Sequence, residues 1–215
     1  MRGVALLVSL LAVGPARADQ AQEAHNAGTR LLNAGQAREA LPYFERAIEL
    51  RPGEVSFYHR RGEAYARLGQ YERAVADFDQ AIASYPTYSQ ALNSRALAHL
   101  ALGRFEQAIA DFDRVLSNRI PQPEVYYNRG QAYAALGRYE RAIADFDQAL
   151  YFGPNSARAY GFRGLASLLH GQEAEAKQDF ARCLELDNSL KPELDRLIDE
   201  AKENGQWPRP AARQL

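Results

Sequence analysis

Hydrophobic and small residues recur along the chain at a fixed interval of 34 positions. The alanine column comprises Ala40, Ala74, Ala108, Ala142 and Ala176, and the aromatic column comprises Phe44, Phe78, Phe112, Phe146 and Phe180. A constant period of this length is typical of helical proteins built from stacked repeat units. The period divides most of the chain into five units without insertions: 21–54, 55–88, 89–122, 123–156 and 157–190.

Within each unit the pattern predicts two helices joined by a tight turn. In the second unit, Tyr58 and Tyr65 lie at helical spacing, Gly69 interrupts the run, and Phe78 follows in a second helical pattern that ends at Pro86. One such unit cannot bury its apolar face alone, so the stack of units is the folding domain. We therefore predict an all-α solenoid of five helix-turn-helix units.

The segment after the fifth unit predicts one further helix and then a tail. Residues 191–204 place Leu194, Leu197 and Ile198 at helical spacing, and this helix would cap the exposed apolar face of the last unit. Residues 205–215 contain two prolines and little that packs, which favours a flexible tail.

The first 18 residues have the pattern of a secretory signal peptide. Arg2 precedes an apolar stretch at 4–13, and Ala16-Arg17-Ala18 is a small-x-small cleavage motif. The apolar stretch is shorter than the roughly 20 residues that span a bilayer. We expect cleavage after Ala18 and a periplasmic or secreted mature protein without stable membrane insertion.

Composition and motifs argue against several classes of function. A formal net charge of −1 indicates neither a nucleic-acid-binding surface nor a polybasic membrane anchor. The sequence has no phosphate-binding loop, nucleophile elbow or paired-cysteine spacing, so we predict no enzyme activity and no cofactor. Cys183 shares the column of Ala47 and Ala81 and is interpreted as a small buried hydrophobe. His25 and His59 share another column, but their spacing does not favour a metal site.

Units two to five carry an arginine in the first helix together with an aspartate in the second, whereas unit one lacks both. The arginines are Arg61, Arg95, Arg129 and Arg163, and the aspartates are Asp77, Asp111, Asp145 and Asp179. Residues that appear and vanish together predict a contact, here a ladder of partly buried ion pairs that fixes register. Each aspartate opens an Asp-Phe-Asp triplet in units two to four, but side chains two apart on a helix diverge by about 200° and cannot chelate calcium together.

The repeat columns resemble those of the tetratricopeptide repeat family. The resemblance rests on Tyr58, Gly62, Tyr65, Gly69, Tyr71, Ala74, Phe78, Ala81 and Pro86 in the second unit and on Tyr126, Gly130, Tyr133, Gly137, Tyr139, Ala142, Phe146, Ala149 and Pro154 in the fourth. It implies a right-handed superhelix that binds proteins or peptides on a concave surface lined by the first helix of each unit.

The family's concave register implies a set of candidate partner-binding residues. These are His59, Arg60, Glu63, Asn93, Tyr127, Asn128, Gln131, Arg158 and Phe162. The lining is polar in the first three units and turns apolar in the last two, where aromatic and arginine side chains are typical binding anchors. Leu165, Leu168 and Leu169 extend the apolar part; either they form a binding patch or the terminal helix covers them.

One subclass of the family is disfavoured. Members that clamp acidic chaperone tails carry lysine, asparagine and arginine where this chain has His25, Arg60 and Ser94, so the charge-assisted donors are missing. We expect an interaction scaffold or adaptor of the bacterial cell envelope. The alternatives are a regulatory or accessory subunit whose tail near Trp207 touches an envelope enzyme, and a self-associating structural protein.

The predicted export has a direct test. Because the cleavage motif ends at Ala18, mass spectrometry of the mature protein from an expressing bacterium is expected to find Asp19 as the first residue. Membrane-bound protein with an intact amino terminus would contradict both the cleavage and the predicted compartment.

Overall fold

The computed structural model describes residues 15–117 and 122–208 of the 215-residue chain. Most of the predicted signal peptide, at 1–14, lies outside the described residues, as do residues 118–121 with Pro121 and residues 209–215. The described part forms eleven α-helices and one 3-10 helix. They are α1 (Pro15–Asn33), α2 (Ala37–Leu50), α3 (Val55–Arg67), α4 (Tyr71–Ser84), α5 (Ser89–Ala101), α6 (Phe105–Leu116), α7 (Pro123–Ala135), α8 (Tyr139–Phe152), α9 (Ala157–Leu169), α10 (Glu173–Leu186), η1 (Asn188–Leu190) and α11 (Lys191–Asn204).

Each predicted unit is a pair of helices joined by a glycine turn, which confirms the predicted fold. In the second unit, Gly69 ends α3 with a φ of +72°, in the left-handed region that favours glycine. The amide of Gln70 then donates a hydrogen bond to the carbonyl of Tyr65 at 2.9 Å. This turn reverses the chain within three residues, so α4 packs back against α3.

The two helices of a unit approach closely because a phenylalanine lies over a small residue. Phe78 and Phe146 are fully buried, and a Cβ atom added to Gly62 would lie only 2.6 Å from Phe78 Cε1. The same addition at Gly130 would lie 2.9 Å from Phe146 Cε1. A side chain at these glycines would therefore displace the ring that fills the core.

The predicted pairing of arginine with aspartate is confirmed in all four units. Arg95 donates two parallel hydrogen bonds to Asp111, from Nε at 2.8 Å and from Nη2 at 2.6 Å, and Asp111 is only 3% exposed. Hydrogen bonding to Asp111 raises the pKa of the Arg95 guanidinium above its ordinary value. The other pairs have the same geometry: Arg61–Asp77, Arg129–Asp145 and Arg163–Asp179.

Three of these arginines also bind an aspartate of the preceding unit, which the sequence reasoning did not predict. Arg95 Nη1 donates to Asp79 Oδ1 at 2.5 Å, across the boundary between α4 and α5. Arg129 contacts Asp113 and Arg163 contacts Asp147 in the same way. Each Asp-Phe-Asp triplet thus gives one carboxylate to its own unit and one to the next, and we call this set of contacts the Arg–Asp ladder.

The last helix, α11, covers the range predicted for the terminal helix and packs mainly on α9. Its buried residues Leu194 and Leu197 lie against the fifth unit. A Cβ atom at Gly161 would lie at an ordinary contact distance of 3.7 Å from Leu194 Cδ1 but at a tight 3.3 Å from Cys183 Sγ, so the glycine favours close packing against α10. A cavity of about 30 Å³ remains between α9, α10 and α11, with room for about one water molecule.

The Arg–Asp ladder predicts a specific stability loss. Arg95→Leu leaves the buried Asp111 carboxylate unpaired, so the free energy of unfolding should fall by about 1–3 kcal/mol in urea titrations. The double variant Arg95→Leu/Asp111→Leu should recover part of that loss, because no buried charge then remains unpaired.

Arg46→Leu is the matched control, because the Arg46–Glu49 pair is exposed on α2. Its effect should stay within about 0.5 kcal/mol. Equal losses for Arg46→Leu and Arg95→Leu, or strictly additive losses in the double variant, would contradict the ladder.

Candidate functional site

The predicted binding residues lie on the first helices, which are neighbours along one side of the solenoid. We call the surface formed by α1, α3, α5, α7 and α9 the first-helix face; it is the side that the family resemblance predicts to be concave. Contacts between His59 and Ser94 and between Tyr127 and Phe162 join adjacent helices of this face. The structure divides the candidate residues into a polar patch and an aromatic pocket.

The polar patch comprises Arg60, Glu63, Asn93, Asn128 and Gln131, all only partly buried. Arg60 Nη1 donates to Glu63 Oε2 at 2.8 Å, and Gln131 Nε2 donates to Asn128 Oδ1 at 3.4 Å. Both pairs lie within a single helix, so they do not join one helix to another. Asn93 Oδ1 is buried and has no hydrogen-bond partner within the described residues.

His59 has a different position from its neighbours in the patch, because it is only 6% exposed. Its Nε2 lies 3.3 Å from Ser94 Oγ and its Nδ1 lies 3.3 Å from the Tyr88 hydroxyl, so it links α3 to the start of α5. Burial lowers the pKa of His59, and the Glu63 carboxylate partly opposes this effect. The structure therefore places His59 between helices rather than on the accessible surface.

The aromatic pocket is formed by Tyr127, Phe146 and Phe162, and Trp207 fills it. The Trp207 ring centroid lies 5.6 Å from Phe162 and 6.5 Å from Phe146, and it is nearly parallel to Phe146. Tyr127 contacts both Phe162 and Phe146, at 5.7 Å and 5.9 Å between ring centroids. Phe162 is 7% exposed, and burial raises the pKa of the Tyr127 phenol. While Trp207 is in place, Phe162 is closed to a partner, whereas Tyr127 is only partly buried.

The chain reaches this pocket because α11 ends close to it. Gly205 ends α11 with a φ of +61°, and Leu197 and Ala201 pack in the same cluster as Phe146 and Phe162. The placement of Trp207 differs from the flexible tail predicted for 205–215, because its indole finds an aromatic surface that the sequence pattern did not reveal. The terminal helix covers one of the three leucines that the sequence left as either a binding patch or covered: Leu165 is fully buried beneath α11.

The structure also locates Arg158 and Cys183 and bears on a metal site and a membrane-spanning helix. Arg158 is exposed and lines the small cavity beneath α11, and Cys183 is buried as interpreted. Within 15–117 and 122–208, no three acidic, histidine or cysteine side chains gather in a way that suits a metal ion. No helix in the same ranges combines the length and the apolar character needed to cross a membrane.

Five stacked helix pairs with a continuous first-helix face define a helical-repeat protein of the solenoid class. Two family models, both described as tetratricopeptide repeat, match the chain, one at residues 25–89 and 93–157 and the other at 157–190. The chain therefore belongs to the tetratricopeptide repeat family, which confirms the resemblance seen in the sequence.

Solved structures share this fold at low sequence identity. MamA (residues 41 to the end) from Desulfovibrio magneticus RS-1 is 24% identical, with a TM-score of 0.76 over 80% of this chain and 97% of that chain. YrrB, described as a TPR protein with an unusual peptide-binding site, is 18% identical, with a TM-score of 0.71 over 82% of this chain and 92% of that chain. A search of curated protein sequences finds no match. At these identities the likeness shows the fold alone.

The buried imidazole of His59 predicts a dependence of stability on pH. The folded state holds His59 neutral below its ordinary pKa of 6.5, whereas the unfolded chain takes up a proton there, so stability should be lost as pH falls below about 6.5. His59 alone should contribute a slope of at most about 1.4 kcal/mol per pH unit. Urea unfolding of the wild type and His59→Gln at several pH values checks this. Identical slopes would contradict a neutral buried His59.

Proposed function

We propose that this protein is a non-enzymatic scaffold or adaptor of the bacterial cell envelope that binds a protein or peptide partner on its first-helix face. Tetratricopeptide repeat proteins bind protein or peptide partners. The accessible part of this binding surface is the polar patch of α3, α5 and α7.

One observation carries the proposal: the hydrogen bonds of the polar patch stay within single helices. Arg60 pairs with Glu63 on α3, and Asn128 pairs with Gln131 on α7. The Arg–Asp ladder, in contrast, joins neighbouring helices and is mostly buried. Groups that do not hold helices together, yet line the face between them, remain available to bind the backbone and side chains of a peptide.

The envelope location rests on the sequence pattern of residues 1–18. Cleavage after Ala18 would remove the first turn of α1 and leave Ala21, the first fully buried residue, in the mature chain. Export is thus compatible with the packing of the first unit.

Site-specific photo-crosslinking tests the proposed surface. A photoreactive amino acid at position 60 or 128 should crosslink a partner in cells, whereas the same group at Ala76 or Ala110, exposed on the second helices, should not. Arg60→Ala and Asn128→Ala should each weaken binding of the purified partner about tenfold, with the helical signal unchanged.

The outcome at the control positions decides the proposal. Crosslinks that form only at positions 76 and 110 would place the interaction on the second helices and contradict it. The identity of the crosslinked protein separates the alternatives, because an envelope enzyme indicates an accessory subunit and a second copy of this chain indicates self-association.

A further inference from the structure

The aromatic pocket occurs at one place in the solenoid, although the repeat columns run through every unit. Tyr127 stands where units two and three have His59 and Asn93. Phe162 stands where units two, three and four have Arg60, Ser94 and Asn128. Between units four and five, Tyr127 and Phe162 of neighbouring first helices therefore meet over Phe146, whereas the rings that meet over Phe44 between units one and two are those of His25 and Phe57. Among the described residues, the pocket of Tyr127, Phe146 and Phe162 belongs to this one boundary rather than to every repeat.

Trp207 occupies this pocket in the manner of a bound ligand. Its indole contacts Phe146 and Phe162, and its backbone lies beside the Tyr139 hydroxyl, which partly offsets the rise that burial causes in the pKa of that phenol. A side chain held in a pocket is one of the contacts by which grooves bind extended peptides. Tryptophan is also the residue type most enriched among binding anchors.

The connection between Trp207 and the solenoid is weak. Ala201 is the last buried residue of α11, and all five residues from 202 to 206 are exposed. Gly205 adopts a left-handed conformation in the middle of this connection. Because nothing but the ends of the segment is packed, Trp207 can leave the pocket without unfolding a repeat unit.

We propose that the aromatic pocket is a tryptophan-binding site that the chain closes with its own Trp207, and that a partner segment bearing a tryptophan binds there by displacing it. This proposal rests on the proposed binding function of the first-helix face. It adds that one site of this face, the aromatic pocket, binds a tryptophan side chain. Closure lowers the apparent affinity for the partner in proportion to the fraction of open pocket, so a chain open about 1% of the time binds about a hundredfold more weakly. With Trp207 in place, the polar patch and the exposed Arg158 remain accessible to a partner.

A peptide of residues 201–208 is the probe, because it carries the anchor that the structure shows in the pocket. The full-length Trp207→Ala chain has no tryptophan, so the indole emission of the peptide reports binding without background. We expect this emission to shift to shorter wavelength on binding. Anisotropy of a dye-labelled peptide should show affinity for the Trp207→Ala chain at least about tenfold tighter than for the wild type.

Two variants in the Trp207→Ala chain locate the binding. Phe162→Leu keeps an apolar side chain at the pocket and should weaken peptide binding about tenfold, whereas Tyr151→Leu, at a residue that is 77% exposed, should leave it unchanged. An unlabelled peptide with alanine in place of tryptophan should fail to compete. Thermal unfolding of each variant establishes that the solenoid is intact.

Three results would overturn the proposal: equal affinity of the peptide for the wild type and the Trp207→Ala chain, no binding to either, or equal competition by the alanine peptide. None of them depends on the crosslinks at positions 60 and 128. A closed tryptophan site and partner binding at the polar patch can therefore fail separately.

Discussion

An arginine that bridges two aspartates is the contact on which the alignment of the units depends. Arg95 binds Asp111 of its own unit and Asp79 of the preceding one, and the contact repeats at the next two boundaries. Hydrophobic packing alone would tolerate small shifts between helices, because apolar contacts have no direction. A paired guanidinium fits one geometry, and a buried carboxylate left unpaired is costly. The ladder therefore sets the register in which the first helices lie side by side and form a continuous face.

The first-helix face has two parts, because some of its side chains join neighbouring helices and others bind only within their own helix. His59, Ser94 and Tyr88 join α3 to α5, while Arg60 and Glu63 pair within α3, where Glu63 also lies 4.0 Å from His59. Between units four and five, α11 and Trp207 pack against the aromatic side chains of Phe146 and Phe162 and shield them from water. One half of the face is accessible in this structure and the other half is closed by the chain itself.

The helix pairs and their stacking follow from the period of the sequence. Two features could not be predicted from it, the contacts between units and the position of Trp207, and the reasons are physical. The two aspartates of one triplet point in different directions, so they cannot chelate calcium together. For the same reason Asp77 and Asp79 bind arginines of different units, Arg61 and Arg95. Comparison of the units with one another predicted the arginine–aspartate contact inside each unit. The second contact lies across a unit boundary and depends on how the units stack, which the sequence does not give. Trp207 was missed because its partner surface depends on where α11 lies on α9. A single tryptophan followed by two prolines, Pro208 and Pro210, carries no information about that position.

Hydrogen–deuterium exchange of the intact protein tests most directly whether the first-helix face is closed by a separable segment. Amides at 202–207 should exchange through local opening, well before those of α7 and α9, which should stay protected until the solenoid unfolds. Exchange of 202–207 at the same slow rate as α7 and α9 would contradict a separable segment. The segment would then be part of the cooperative core, and the aromatic half of the face would have no open state.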